Sequence, residues 1–284
     1  MKAELFLDAG AELAEGPVWH DETLWWVDIP AGTLNRGGPD GGGHEKKKVA
    51  GLLGAAVPTR GGRWLLADED GLSLLDWAAG DVERVSDVIS HEPSLRFNDG
   101  KTDPTGAFWG GTLSLDGTRE AGAFYRFAGG GSAVKQFNAV TCSNGLDFSD
   151  DQQTLYFVDT GAKKLECFDA DLAAGTLASR RTLVDIPEAH GNPDGLTLDA
   201  EGNVWLALWG GRAVRCYDGR TGDELARVEV PAEKVTSCCF GGDDLQTLYI
   251  TTAAFGDPAG GKLYACRPGV AGRAVNLFDD AAWG

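Results

Sequence analysis

Four oxygen-bearing side chains, Glu15, Asn98, Asn144 and Asp194, recur at one phase of a repeating pattern. Each lies ten to twelve residues ahead of an aromatic anchor, namely Trp25, Trp109, Tyr156 and Trp205. Glu15, Asn144 and Asp194 together supply two carboxylates and an amide oxygen, with no sulfur or imidazole among them. Such a set suits a hard divalent cation, with water filling the remaining coordination positions. Taken singly, each residue has an ordinary explanation. Glutamate before a turn is common, and Asn144-Gly145 and Pro193-Asp194-Gly195 are both turn sequences. The shared phase argues against coincidence, and a hairpin turn at Asn144 would start its repeat one strand early. The histidines His20, His44, His91 and His190 show no i, i+4 pairing, and none falls at this phase.

Side chains of one phase need one scaffold to bring them together. Trp64 and Tyr249 complete the set of anchors, which follow one another at intervals of 39, 45, 47, 49 and 44 residues. A period in the forties with β-rich units is the signature of a propeller, about one four-stranded blade per repeat. The runs Leu24–Asp28, Leu155–Asp159, Val204–Leu208 and Leu248–Thr252 read as copies of one strand, each preceded by a turn rich in Asp, Gly, Asn or Thr. The expected fold is therefore all-β: a six-bladed β-propeller of four-stranded antiparallel blades around a central channel, with residues 1–284 as a single domain and no long helix. The second repeat carries Leu53 and Gly54 at the leading phase, and the sixth carries Ser237 and Cys238. Polar groups on the axis thus come from four blades. Residues 4–7 and 274–278 are short strand-like runs without a blade of their own, and both are expected to complete the last blade. The glycine-rich, charged stretch 37–48 reads as a loop.

Composition narrows the function classes. A chain of 284 residues with 43% hydrophobic side chains is able to bury a large core. The 41 glycines and 11 prolines follow no collagen triplet and suit many short strands joined by turns. The net charge of −18 repels phosphate backbones and anionic lipid, so neither nucleic acid nor membrane is an expected partner. It fits high solubility or a salt-adapted host. Cys142, Cys167, Cys216, Cys238, Cys239 and Cys266 lack zinc-finger or thioredoxin spacing, and most lie in apolar runs where cysteine acts as a small hydrophobe. The opening MKAELFLDAG has no apolar core or cleavage-site pattern, so a cytoplasmic location with reduced thiols is expected.

Several motifs carry a resemblance to a known family. They are Glu15-Gly16-Pro17 with Val27-Asp28-Ile29; Arg96-Phe97-Asn98-Asp99-Gly100-Lys101 with Asp103-Pro104; Ser143-Asn144-Gly145-Leu146; Pro193-Asp194-Gly195 with Asp199-Ala200-Glu201-Gly202; and Cys239-Phe240-Gly241-Gly242 with Thr247-Leu248-Tyr249. In this order and spacing the chain resembles the SMP-30/gluconolactonase family over essentially its full length. The resemblance implies a six-bladed propeller with one divalent metal on its axis, whether Ca, Mg, Mn, Zn or Fe(II). It implies Glu15, Asn144 and Asp194 as metal ligands, Asp194 also as the catalytic base, and Arg96, Asn98 and Asp116 as substrate-binding residues. The residues leave other roles open: Arg96 is also placed to pair with Asp99 or Glu92, and Asn98 to contact the metal.

The activity so implied is metal-dependent hydrolysis of sugar-acid lactones such as glucono-, xylono-, galactono- or arabinono-lactone, with the protein a monomer or weak homo-oligomer. Lactone opening is water attack on an ester carbonyl, which calls for a Lewis acid and a base. A carboxylate bound to a cation is a weakened base. Either Asp194 binds through one oxygen and works with the other, or the water is activated at the cation itself. Two further readings share the same site: a phosphotriester hydrolase, and a calcium-binding regulatory protein without turnover.

Overall fold

The computed structural model describes residues 1–130 and 132–283. Alternating apolar residues and tight turns fold the chain into six four-stranded antiparallel sheets. Blade 1 is built from Ala14–His20, Thr23–Asp28, Thr33–Gly37 and Glu45–Lys48, and blade 2 from Leu53–Pro58, Trp64–Asp68, Leu72–Leu75 and Val82–Ser86. Blade 3 comprises Leu95–Thr102, Phe108–Ser114, Gly122–Ala128 and Ser132–Val140, and blade 4 comprises Ser143–Phe148, Thr154–Asp159, Lys164–Asp171 and Thr176–Asp185. Blade 5 comprises Asn192–Leu198, Val204–Trp209, Ala213–Tyr217 and Glu224–Glu229. Blade 6 takes Val235–Gly241, Thr247–Thr252 and Leu263–Cys266 from late in the chain and Glu4–Leu7 from its start. The fold is the expected six-bladed propeller. The helical elements among the described residues are two single 3-10 turns, Thr160–Ala162 and Glu188–His190, and no helix is long and apolar enough to cross a membrane.

Each anchor sits on the second strand of its blade and cements an interface. Trp25 meets Trp64 of the next blade at 4.4 Å between ring centroids, Trp109 meets Phe148 at 5.6 Å, and Trp205 meets Phe240 at 5.8 Å. Tyr249 stacks on Trp19 at 5.5 Å across the seam between the last and first blades, and the Tyr156 hydroxyl donates to the Gly219 carbonyl at 2.9 Å. Buried apolar residues divide into six clusters, and each spans two neighbouring blades. The hydrophobic driving force thus closes the ring and leaves the axis to polar groups.

Two expectations need correction. Residues 45–48 are the outer strand of blade 1 and not part of a loop, because Thr33↔Lys48 and Arg36↔Glu45 pair in register. Lys46 and Lys48 of this edge are exposed, a common way to keep an edge from pairing with other chains, while the Lys47 ammonium packs over the Trp77 ring. Residues 274–278 do not join the last blade. The N-terminal strand already fills the fourth position there, pairing Leu5 with Tyr264, so no vacant edge remains. The C-terminal tail instead runs under the channel as a strap, bridging Asp199↔Gly272 in blade 5 and Thr59↔Phe278 in blade 2. Asn276 Nδ2 donates to the Thr102 carbonyl at 3.1 Å, and Asp280 accepts from Thr59 Oγ1 at 3.0 Å. The strap floors an axial cavity of about 500 Å³ whose walls include Asp99, Lys101, Asp147 and Arg273.

All six innermost strands break register at the same height. The shifts fall at Glu15/Val18, Leu53/Ala55, Phe97/Asp99, Asn144/Leu146, Pro193/Leu196 and Val235/Ser237. A bulge of this kind adds a residue on one strand and re-aims the side chains beside it. Gly16 makes the first bulge with φ +50°, and at Gly145 a Cβ would lie 2.6 Å from the Leu196 backbone nitrogen. These breaks turn the leading-phase residues toward the axis.

The strap is fastened by Phe278, which is fully buried among blade 2 and blade 3 residues and packs 5.5 Å from Trp283. Phe278→Ala is expected to cost about 3–5 kcal/mol of stability, read as a lower urea midpoint. An unchanged midpoint would mean that the strap rests on the ring without supporting it.

Candidate functional site

Two aspartates at the ends of second strands set up the cluster. Asp28 accepts from the backbone N–H groups of Glu12 and Leu13 at 3.1 and 3.0 Å, and Asp159 accepts from Thr141 and Cys142, both at 3.0 Å. Each carboxylate clamps the segment that leads into an innermost strand, just ahead of Glu15 in one case and Asn144 in the other. These are the acidic residues that follow the anchors in the first and fourth repeats.

Glu15, Asn144 and Asp194 are then delivered by blades 1, 4 and 5, all three buried at 5–6% exposure. Asp194 interacts electrostatically with both the Glu15 and the Asn144 side chains. Asn144 is held one way round: its Nδ2 donates to Thr160 Oγ1 at 3.1 Å, and that hydroxyl donates in turn to the Pro193 carbonyl at 2.8 Å. The amide oxygen is buried beside the cluster and has no hydrogen-bond partner. A buried acceptor without a donor is costly. Two buried carboxylates side by side add to that cost. Burial, followed by the Asp194 and Asp99 charges, pushes the Glu15 pKa well up. Burial and then the Asp99 charge do the same to Asp194. A divalent cation relieves all of these penalties at once, and three oxygen donors fit one. Among the described residues no group of three His, Cys, Asp or Glu side chains forms a metal cluster, so the donor set depends on the amide.

Arg96 and Asn98 form a second unit. Asn98 Oδ1 accepts from Arg96 Nη1 at 2.8 Å while Asn98 Nδ2 donates to the Ser143 carbonyl at 2.7 Å. Both ends of the Asn98 amide are thus engaged, and its oxygen serves the guanidinium. Arg96 is buried, and burial lowers its pKa from the ordinary value while the Cys142 and Glu15 groups raise it. It forms no salt bridge with Asp99 or Glu92. Its Nη1 also donates to the Phe97 carbonyl at 2.9 Å.

Asp116 stands apart on the mouth loop after Phe108–Ser114. It is exposed, and its Oδ1 accepts from Ser114 Oγ at 2.7 Å, Thr118 Oγ1 at 2.6 Å and the Thr118 backbone at 2.9 Å. Hydrogen bonds from Thr118 and then Ser114 hold its pKa at about 2. The structure therefore does not bring Asp116 into the cluster of the other five.

Three groups at the site are not marked by the repeat. Cys142 is half-buried beside the cluster, with Asn98 Nδ2 at 3.8 Å from its sulfur, and burial pushes its thiol up to about 12. It departs from the apolar-run pattern of the other cysteines only in its polar neighbours Thr141 and Ser143. Thr160 directly follows the repeated run Leu155–Asp159, and nothing in that run marks it as a site residue. Asp99 faces the lower channel, where burial raises its pKa to about 6 against the opposing pull of Lys101. The Lys101 ammonium itself pairs with Asp147 at 3.0 Å.

A propeller with two carboxylates and an oriented amide on its axis defines an oxygen-donor site at the mouth of a channel closed from below. The chain belongs to the SMP-30/Gluconolactonase/LRE-like family, whose sequence profile matches residues 13–254. It is 37% identical to regucalcin from Danio rerio over 260 residues, covering 90% of this chain and 88% of the relative. It is also 37% identical over 259 residues to the pentonolactonase XacC from Haloferax volcanii, with 90% and 87% covered. The crystal structure of regucalcin from Agrobacterium tumefaciens, described as a calcium-binding protein, superposes with a TM-score of 0.92 at 30% identity, covering 98% of this chain and 97% of that one.

The raised carboxylates carry a pH signature with a definite sign. Between the unfolded carboxyl pKa of about 4 and the raised folded values, the folded chain binds more protons than the unfolded one. Stability of chelator-treated protein is therefore expected to fall as pH rises through that window. Urea midpoints at pH 5 and pH 8 in EDTA test this, compared with the same pair in saturating Ca²⁺ or Mn²⁺. The drop is expected in EDTA and is expected to shrink with the cation. Identical profiles in the two conditions would show that no cation meets these carboxylates.

Proposed function

We propose that the protein is a divalent-metal-dependent lactonase that opens sugar-acid lactones, such as glucono-, xylono-, galactono- or arabinono-lactone, to the free acids. The observation that carries this reading is a buried, unpartnered Asn144 Oδ1 in one cluster with the two buried, raised carboxylates of Glu15 and Asp194. Glu15, Asn144 and Asp194 would hold the cation. A bound divalent cation supplies Lewis acidity, polarising the ester carbonyl and offsetting the charge that develops on its oxygen. Likeness to a pentonolactonase supports a sugar-lactone substrate, and likeness to a calcium-binding regucalcin supports a divalent metal.

The chain's own residues supply the rest. Asp194 accepts a proton from the attacking water as the water oxygen bonds to the lactone carbonyl carbon. When the carbon–oxygen bond of the ring breaks, the departing ring oxygen takes that proton, and atoms and charge balance in an open hydroxy acid. Arg96 presents a planar fork to substrate hydroxyls or to the new carboxylate, and Asn98 holds the fork in place. Asp116, fully ionised on the mouth loop, offers its second oxygen to a hydroxyl of the guest.

Acid release from a panel of lactones, followed with and without chelator, tests the reading. Hydrolysis abolished by EDTA and restored by one divalent metal is expected. A protein that binds metal yet opens no lactone would fit a calcium-binding regulator instead. Asp194→Ala is expected to lose both metal and turnover while keeping the wild-type β-sheet spectrum; wild-type turnover in that variant contradicts the assignment. Asn98→Ala is expected to lower kcat/KM about tenfold or more with metal content retained. Loss of the metal from Asn98→Ala would move this amide into the coordination sphere.

A further inference from the structure

The mouth carries an aromatic pair that the hydrolytic cluster does not use. Phe255 is 45% exposed, and its backbone sits at φ +34°. A bulky residue rarely adopts that region, and strain of this kind persists where the surroundings enforce it. Here the enforcing contacts are Ala254 N to the Glu12 carbonyl at 2.9 Å, Asp257 N to the Ala254 carbonyl at 2.7 Å, and Lys234 Nζ to the Phe255 carbonyl at 2.7 Å. The Phe255 ring lies 5.8 Å from Trp209, and the Lys234 ammonium sits 5.9 and 6.0 Å from the two ring centres. The result is an exposed aromatic ring, held by a strained backbone beside a half-buried tryptophan, with one cation lying over both rings.

Its place in the fold ties it to the reaction site. Trp209 pairs in register with Asn192, two residues ahead of Asp194. Ala253, two residues before Phe255, bridges to Leu13, two residues ahead of Glu15. The pair therefore spans the rim between the strands that deliver the two carboxylates. Its surroundings are charged: Arg212 pairs with Glu233 at 3.5 Å next to Lys234. An alkyl chain laid on the rings would desolvate those charges without satisfying them. A pyranose ring presents a C–H face to the aromatic surface and hydroxyls to the polar edge, so it suits both.

We propose that Trp209, Phe255 and Lys234 form a second sugar subsite, and that the preferred substrates are aldonolactones bearing a further glycosyl residue. The proposal rests on the lactonase reading for the reacting end of the substrate, but binding of the distal ring requires no turnover. The metal-loaded protein is assayed with gluconolactone and with cellobiono-, maltobiono- and gentiobiono-lactone. At least one disaccharide lactone is expected to exceed gluconolactone in kcat/KM by about tenfold. Trp209→Ala and Phe255→Gly are each expected to bring that ratio close to one. Phe255→Gly removes the ring at a φ that glycine adopts freely, so a lost preference there is not a folding defect. Saturation-transfer NMR with the matching methyl disaccharides gives a readout independent of hydrolysis. Transfer to the non-reducing ring is expected in the wild type and lost in both variants. A wild-type ratio at or below one for all three disaccharides, or a ratio that neither variant changes, overturns the subsite. If no lactone is hydrolysed, the lactonase reading fails by itself, and absent or variant-insensitive transfer then removes the subsite as well.

Discussion

Six strands converge on one axis, and the backbone has to make room for them there. The innermost strands approach until the site of a Gly145 Cβ lies within 3 Å of a neighbouring backbone, so an unbroken ladder cannot continue past that height. Each strand answers with a bulge at the same level. A bulge releases one residue from pairing and turns its neighbours inward. The crowding that threatens the ring is thus also what sets three oxygen donors face to face.

That arrangement is electrostatically adverse without a cation. Like charges in a low-dielectric setting repel strongly, and desolvation alone already disfavours their ionised forms. The chain tolerates this because its stability resides elsewhere. The aromatic interfaces lie between blades, away from the axis, and they close the ring whether or not the carboxylates are satisfied. Orientation is fixed one layer out from the donors. Asp28 and Asp159 hold the incoming backbone, Thr160 turns the Asn144 amide, and Asn98 steadies Arg96. Such supporting bonds matter because a cation selects for donor geometry as much as for donor type.

The two ends of the channel differ. Below the cluster, the Lys101–Asp147–Arg273 charge network and the C-terminal strap occupy the axis and floor the cavity. Above it, loops of unequal length surround the mouth, with Asp116 on one and Phe255 on another. A guest meets the donors from above, where the chain's loops vary in length and side chain. On the lactonase reading, the core would handle the ester group and the rim whatever the ester is attached to.

The repeat alone placed the six blades and the common phase of Glu15, Asn144 and Asp194, because a period of one blade forces equivalent residues to equivalent heights. The order and spacing of the motifs placed the chain in its family. Other features stayed out of reach because they depend on contacts between distant segments. Residues 45–48 look like a loop until Thr33–Gly37 offers an edge to pair with. Residues 274–278 look like a closing strand until Glu4–Leu7 is seen to fill that edge first. Thr160 and Cys142 carry no signal of their own, since their roles arise from what folds against them. The linear order of residues set which side chains share a radius and a height. Only the closed ring decided what the Thr160 hydroxyl behind Asn144 bonds, what Asn98 leans on and where the tail lies, because those choices are made by hydrogen bonds between blades that adjoin only when the ring is complete.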